Sequence, residues 1–299
     1  MTYRFEADER VEDGVRRIAL EQIDKALAEI AAPDLPVHET VHQVRKRSKK
    51  IRGLLRLVRP TLRGGQTFAT ENAWFRDAAR ELADLRDAQV LIDTVEKLVA
   101  GSDGALPPRV RAALGRSLAA RRGHLTRRAH DAPERLAHFA ARLGEGRARA
   151  AAWQLDGDGF EALAGGLART YGRGRRAMAA ARKTPSPEHF HEWRKRAKYG
   201  LYHHRLLHDV WPTEVEARHA ALDRLSTVLG EHHDLALLDA AAPDLPAHTA
   251  APLATLAHDR RTPLETEAFA LGALLYAEKP RPFTTRIARY WTAWTERAP

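Results

Sequence analysis

Apolar residues recur every three or four positions through most of this chain, and alternating strand-like runs are nearly absent. The spacing predicts helices over 9–30, from about Val37 to Arg59, and, as one long element, over 69–101. A further helix is expected over 107–130, with Pro in its first turn. The Gly/Asp-rich stretch "QLDGDGF" (154–160) interrupts the pattern. Helical spacing then resumes over 161–183, over 186–211 with Ser186 as cap and Pro187 behind it, and over 213–242. The segment 251–278 reads as one or two helices, and a short C-terminal helix follows Pro280 and Pro282. The predicted fold class is all-α.

Within "VHQVRKRSKKIRGLLRLVRP" (41–60), Val41, Val44, Ser48, Ile51, Leu55, Val58 and then Leu62 form one stripe that should face the core. His42, Arg45, Lys46, Lys49, Arg52 and Arg56 share the adjoining strip, while Arg47 and Lys50 point elsewhere. No acidic residue lies between Glu39 and Glu71, so the strip has no local partner at helical spacing.

The pattern returns 149 residues later. His42-x-x-Arg45-Lys46-Arg47-x-Lys49 matches His191-x-x-Arg194-Lys195-Arg196-x-Lys198, and Arg56 matches Arg205. In the second copy, Phe190, Trp193, Ala197, Gly200, Leu207 and Trp211 share an apolar face with His204. "ELADLRDAQVL" (81–91) pairs with "VLGEHHDLALL" (228–238), aligning Asp87 with Asp234. A duplicated helical unit is expected, with halves at 1–152 and 153–299.

Composition sharpens this picture. The formal charge of +10 favours a polyanionic partner, and 44% hydrophobic residues suffice for a packed core. The absence of cysteine excludes disulfides and thiol catalysis. The longest uncharged apolar stretch, "AFALGALLYA" (268–277), is half a membrane span, so a cytoplasmic protein is expected.

Arg grips phosphate oxygens with a planar fork, Lys supplies a compact charge, and His gains a second donor on protonation. Cations at helical spacing can follow a chain of phosphates. No base-reading or stacking element lies among them, which makes nucleic acid the weaker fit. "GEHHDLALL" (230–238) raises a metal-dependent phosphohydrolase, but His232 and His233 diverge by about 100° on a helix. Asp87 and Asp234 are expected to pair with Arg, His204 to be a core histidine and His203 to face solvent. Trp153, Trp211, Trp291 and Trp294 are expected to pack. No cofactor or metal is expected.

With these motifs the sequence resembles the CHAD family, the helical domain named for its histidines, over nearly its whole length. The resemblance implies two helical bundles related by a pseudo-two-fold, with the basic helices lining a shared groove or channel. It also implies non-catalytic binding of inorganic polyphosphate and association with polyphosphate granules. The implied ligand contacts are His42, Arg45, Lys46 and Lys49, and His191, Arg194, Lys195 and Lys198. Arg52, Arg56 and Arg205 extend the strip; Arg17 and Arg176 are further candidates. Leu201 replaces the counterpart of Arg52, which breaks the repeat there. "RFEADER" lacks the Glu-x-Glu-x-Lys of a fused triphosphate tunnel domain, so the stand-alone form is expected.

Overall fold

The "QLDGDGF" stretch does more than interrupt the helical pattern: Asp158 within it accepts a hydrogen bond from Val11 N–H at 2.8 Å and so caps the first helix. Gly157 and Gly159 take φ of 97° and 57°, the left-handed turn that brings Asp158 there. The computed structural model describes residues 3–102, 104, 106–241 and 245–297, without the side chains of 84–88 and 125–129. The expected Asp87 pairing therefore lies outside the described residues.

Eleven α-helices and no strand occur among the described residues. They are α1 (Val11–Ala31), α2 (Val37–Leu57), α3 (Thr67–Arg80), α4 (Ala83–Ala100), α5 (Pro108–Arg128) and α6 (Ala132–Ala151). After the break come α7 (Glu161–Lys183), α8 (Pro187–Leu206), α9 (Pro212–Ala241), α10 (Ala247–Leu275) and α11 (Pro280–Thr295). Three boundaries differ from expectation. The long 69–101 element is broken at Glu81–Leu82 into α3 and α4. The 186–211 element ends at Leu206 and continues as a 3₁₀ turn, His208–Val210. The helix over 132–151 was not expected, although Pro133 and Glu134 in its first turn are start signals. Segment 247–275 is a single helix despite Pro252 and Pro263.

Helix α1 packs on α2 and α6, and α7 packs on α8 and α11. Helix α2 also crosses both α7 and α8, so one hydrophobic cluster runs from Tyr3 to Trp291. The predicted stripe of α2 is its buried face: Val41, Val44, Ser48, Ile51, Leu55, Val58 and Leu62 are all buried. Each large apolar member of such a stripe stabilises the fold by roughly 1.5–3 kcal/mol. On α8, Phe190, Trp193 and Ala197 are buried as expected. Trp211 is not: it is 46% exposed and stands edge-on to Tyr290 at 4.6 Å, because the chain leaves the helical register at Leu206. Trp153 and Trp291 are buried.

Two close approaches set the crossings. A Cβ on Gly53 would meet Tyr202 at 3.0 Å, which places this pair at the crossing of α2 and α8. A Cβ on Gly166 would lie 2.6 Å from the Arg56 carbonyl oxygen and closer still to that of Leu57. Only glycine lets α7 sit on the C-terminal turn of α2.

His203 is fully buried rather than solvent-facing. It donates from Nε2 to the Gly53 carbonyl at 3.0 Å, tying α8 to α2 at their crossing. His204 donates from Nδ1 to the Gly200 carbonyl at 2.9 Å. A carbonyl only accepts, so these bonds fix opposite tautomers on the two rings. Burial lowers the pKa of His203 to about 4 and of His204 to about 3. The unfolded chain takes up these protons first, near pH 6.5. Stability is therefore full above about pH 6.5 and falls as the pH drops toward the folded-state values. A shift of this size at His203 corresponds to a loss on the order of 3 kcal/mol by pH 4. The His203→Gln variant, which keeps a donor to Gly53, is expected to unfold with a flatter dependence on pH between 7 and 4 in urea titrations.

Candidate functional site

Ser186 starts α8 by accepting from the His189 N–H at 3.3 Å, with Pro187 in the first turn. That start sets the rotation of the second basic strip. Helix α2 begins after Pro36 and presents the first strip. At the α2–α8 crossing the two strips converge.

Lys49 is the clearest sign of it. Its side chain is exposed, yet cations of both helices stand close enough to act on its charge. Loss of hydration first, and then the positive charges of Arg45, Arg194, Lys198 and Arg52, together lower its pKa to about 8. Two of those four belong to α8. Lys198 is lowered in the same way, by burial first and then by Arg194 and Lys46, with Asp223 acting in the opposite direction. Its ammonium lies 6.0 Å from the Tyr202 ring centre. Among the described residues, no carboxylate lies within ion-pair distance of Lys46, Lys49, Lys198 or Arg194. Arg194 lies across Gly230 of α9, its Nε 3.6 Å from where a Cβ would stand, and that Nε is buried without a hydrogen-bond partner among the described residues.

His42 lies exposed on α2, one turn before Arg45 and Lys46. His191 is half-buried, with its Nδ1 3.2 Å from Nδ1 of His233 on α9. One ring donates and the other accepts, so the pair is held in complementary tautomers. Burial, then Lys195 and Arg194, lowers the pKa of His191; burial lowers His233 to about 4. Lys195 is exposed and paired with Glu192 at 2.6 Å.

The remaining predicted residues divide into flanks. On one side Arg56 donates to Asn72 Oδ1 at 2.5 Å, as Arg52 does at 3.2 Å. Arg56 also stacks over the Tyr199 ring at 4.1 Å, and burial lowers its pKa to about 10. On the other side Arg205 is exposed near Lys50 and Tyr3, whose titration it influences. Arg176 is exposed on α7, beside Arg173. Arg17 stands apart: Glu9 at 2.6 Å, Glu21 at 3.2 Å and Glu6 at 3.4 Å surround its guanidinium. Those carboxylates raise its pKa and occupy its donors.

Arg47 and Lys50 face away from the strip. Arg47 is paired with Glu29 at 2.5 Å, and its counterpart Arg196 is paired with Glu192. Lys50 is buried under Tyr3, 5.0 Å from the ring centre, where burial lowers its pKa to about 7. Asn72, Tyr199, Gly230 and His233 belong to the site but were not singled out as ligand-facing from sequence. Gly230 and His233 carried a local signal, their place in the segment that pairs with 81–91. His232 instead bonds Glu265 at 3.0 Å. Among the described residues, no group of three His, Asp or Glu converges as a metal site would require.

The chemistry on offer is a cluster of cations drawn from two helices, suited to a multivalent anion. No helix among the described residues is long and apolar enough to cross a membrane. Comparison with solved structures gives PptA from Streptomyces chartreusis, with TM-score 0.63 and 18% identity over 89% of this chain and 99% of that one. A CHAD domain from the plant Ricinus communis gives TM-score 0.59 and 17% identity over 99% of this chain and 95% of that one. At these identities both speak for the fold alone. No curated protein matches the sequence. The sequence model of the CHAD domain matches residues 17–243, three quarters of the chain. The chain belongs to the CHAD domain family.

Proposed function

We propose that this protein binds inorganic polyphosphate in the groove where α2 and α8 cross, without turning it over. The observation that carries the reading is Lys49, held beside Arg45 and Arg52 of its own helix and Arg194 and Lys198 of the other. Like charges held this close repel one another, and a polyanion laid among them offsets that repulsion. The chain is read as a duplicated unit, 1–152 and 153–299, whose two copies each supply one wall. A cytoplasmic setting at polyphosphate granules accords with this ligand.

The experiment is titration of long-chain polyphosphate against duplex and single-stranded DNA at matched salt, with orthophosphate followed over time. Preferred binding of polyphosphate, steeply weakened by salt and with no orthophosphate released, is expected. Metal-dependent release of orthophosphate would favour a phosphohydrolase, and equal affinity for DNA a nucleic-acid-binding module.

The pH dependence follows from Lys49. A bound polyanion favours the charged ammonium and raises its pKa above the value of about 8 in the empty protein. Affinity is expected to rise as the pH falls toward 8 and to level off below it. A Lys49→Gln variant, titrated by calorimetry from pH 10 to 7, should lose that slope. His191 adds a second, weaker rise below its ordinary range, since burial holds it neutral until the pH falls under 6.5.

A further inference from the structure

The flank beyond Arg56 holds more positive charge than the central groove needs. Helix α7 is seated against the end of α2 through Gly166, which lies against the Leu57 and Arg56 carbonyls. That contact brings Arg173 of α7 beside Arg56 and Arg59 at the end of α2, and Arg176 stands next to Arg173 on α7. Arg56 and Arg59 share one aromatic surface, at 5.9 Å and 4.4 Å from the centre of the Phe68 ring. Arg173 reaches Glu192 only at 3.9 Å, and that carboxylate is already engaged by Arg196 and by Lys195 at 2.6 Å. Among the described residues, Glu192 is the sole carboxylate within ion-pair distance of Arg56, Arg59, Arg173 or Arg176. The four guanidiniums are planar forks suited to phosphate oxygens. Arg59 and Arg176 are exposed, and Arg173 is 43% exposed.

Position along α2 gives this group its meaning. Lys49, Arg52 and Arg56 are spaced three and four residues apart, so they are successive neighbours on one helix face. Arg56 lies about 10 Å beyond Lys49 at the helical rise, and Arg59 follows in the turn after α2. A short phosphate held between Lys49 and Lys198 cannot cover that distance, whereas a long chain laid along the strip arrives there.

We propose that Arg56, Arg59, Arg173 and Arg176 form a second anion subsite that engages only phosphate chains long enough to run out of the central groove, and so set a chain-length preference. This rests on the proposed binding of polyphosphate in the central groove.

The test compares tripolyphosphate with a long polyphosphate chain on wild type and on Arg59→Gln/Arg173→Gln, two partly exposed positions whose replacement should leave thermal unfolding unchanged. Arg56 and the central cations stay intact. The variant is expected to lose about tenfold or more in affinity for the long chain, with the salt slope reduced by about one to two. Tripolyphosphate affinity should stay within about twofold, and Arg59→Lys/Arg173→Lys, which keeps the charge and loses the fork, should restore the salt slope and part of the long-chain affinity. Equal losses for both ligands, or no loss for the long chain, would overturn the subsite while leaving the central reading intact. If wild type binds neither ligand, the central reading fails and the subsite with it.

Discussion

Reversing the central cations, Arg45→Glu and Lys49→Glu together with Arg194→Glu and Lys198→Glu, is expected to abolish polyphosphate binding. Charge-assisted hydrogen bonds are each worth about 1.5–3 kcal/mol, and 1.4 kcal/mol is tenfold in affinity. Four lost contacts plus new repulsion amount to about ten-thousandfold or more by the same conversion. Reversal of Lys49 and Lys198 alone should not cost stability in the empty protein. Lys49 and Lys198 sit where neighbouring cations and burial already disfavour their charge, and carboxylates there would relieve that repulsion. Thermal unfolding of Lys49→Glu/Lys198→Glu without ligand should match or exceed wild type. A variant that loses binding and also unfolds would point to a structural role for these residues instead. Reversal on α2 alone should leave a weaker site on α8, because each helix supplies one wall.

Gly166→Ala is expected to be the most damaging single change in the fold. Its Cβ would fall 2.6 Å from one backbone oxygen of α2 and nearer to another, and backbone cannot swing aside as a side chain can. Pushing α7 away opens the packing of the two helices, at a cost on the order of 3–5 kcal/mol, the upper range for single substitutions. Gly144, in the middle of α6, has nothing within 4 Å of its Cβ position. Gly144→Ala should therefore stabilise by about 0.5–1 kcal/mol through helix propensity alone. Urea denaturation of the two variants separates a packing constraint from a generic glycine effect. Equal midpoints would show that α7 does not approach α2 as closely as described.

The buried stripe of α2 was legible because a 3.6-residue period maps sequence onto one face, and Val41, Val44, Ile51, Leu55 and Val58 all follow it. The cationic strip was legible for the same reason, and its repetition marked it as more than a solvated face. Distance along the chain hid the rest. His203 looked solvent-facing on α8 alone; its burial depends on Gly53, 150 residues away, whose carbonyl accepts its proton. Arg17 looked like a ligand contact because it carries a guanidinium near a His helix. Glu21, one turn along α1, already pairs with it, and the folded N-terminal segment adds Glu6 and Glu9. Asn72, the shared acceptor of Arg52 and Arg56, is an ordinary residue on another helix with no local mark. The break between α3 and α4 carries neither Pro nor Gly at Glu81–Leu82, so periodicity alone ran through it.

The central claim is that cations from both halves hold one phosphate chain. A crystal structure of the protein with bound polyphosphate tests it most directly. Phosphate density running between Lys49 and Lys198, with Arg45 and Arg194 on either side, is the predicted result. Density confined to one helix, or lying elsewhere on the surface with that groove empty, would contradict it.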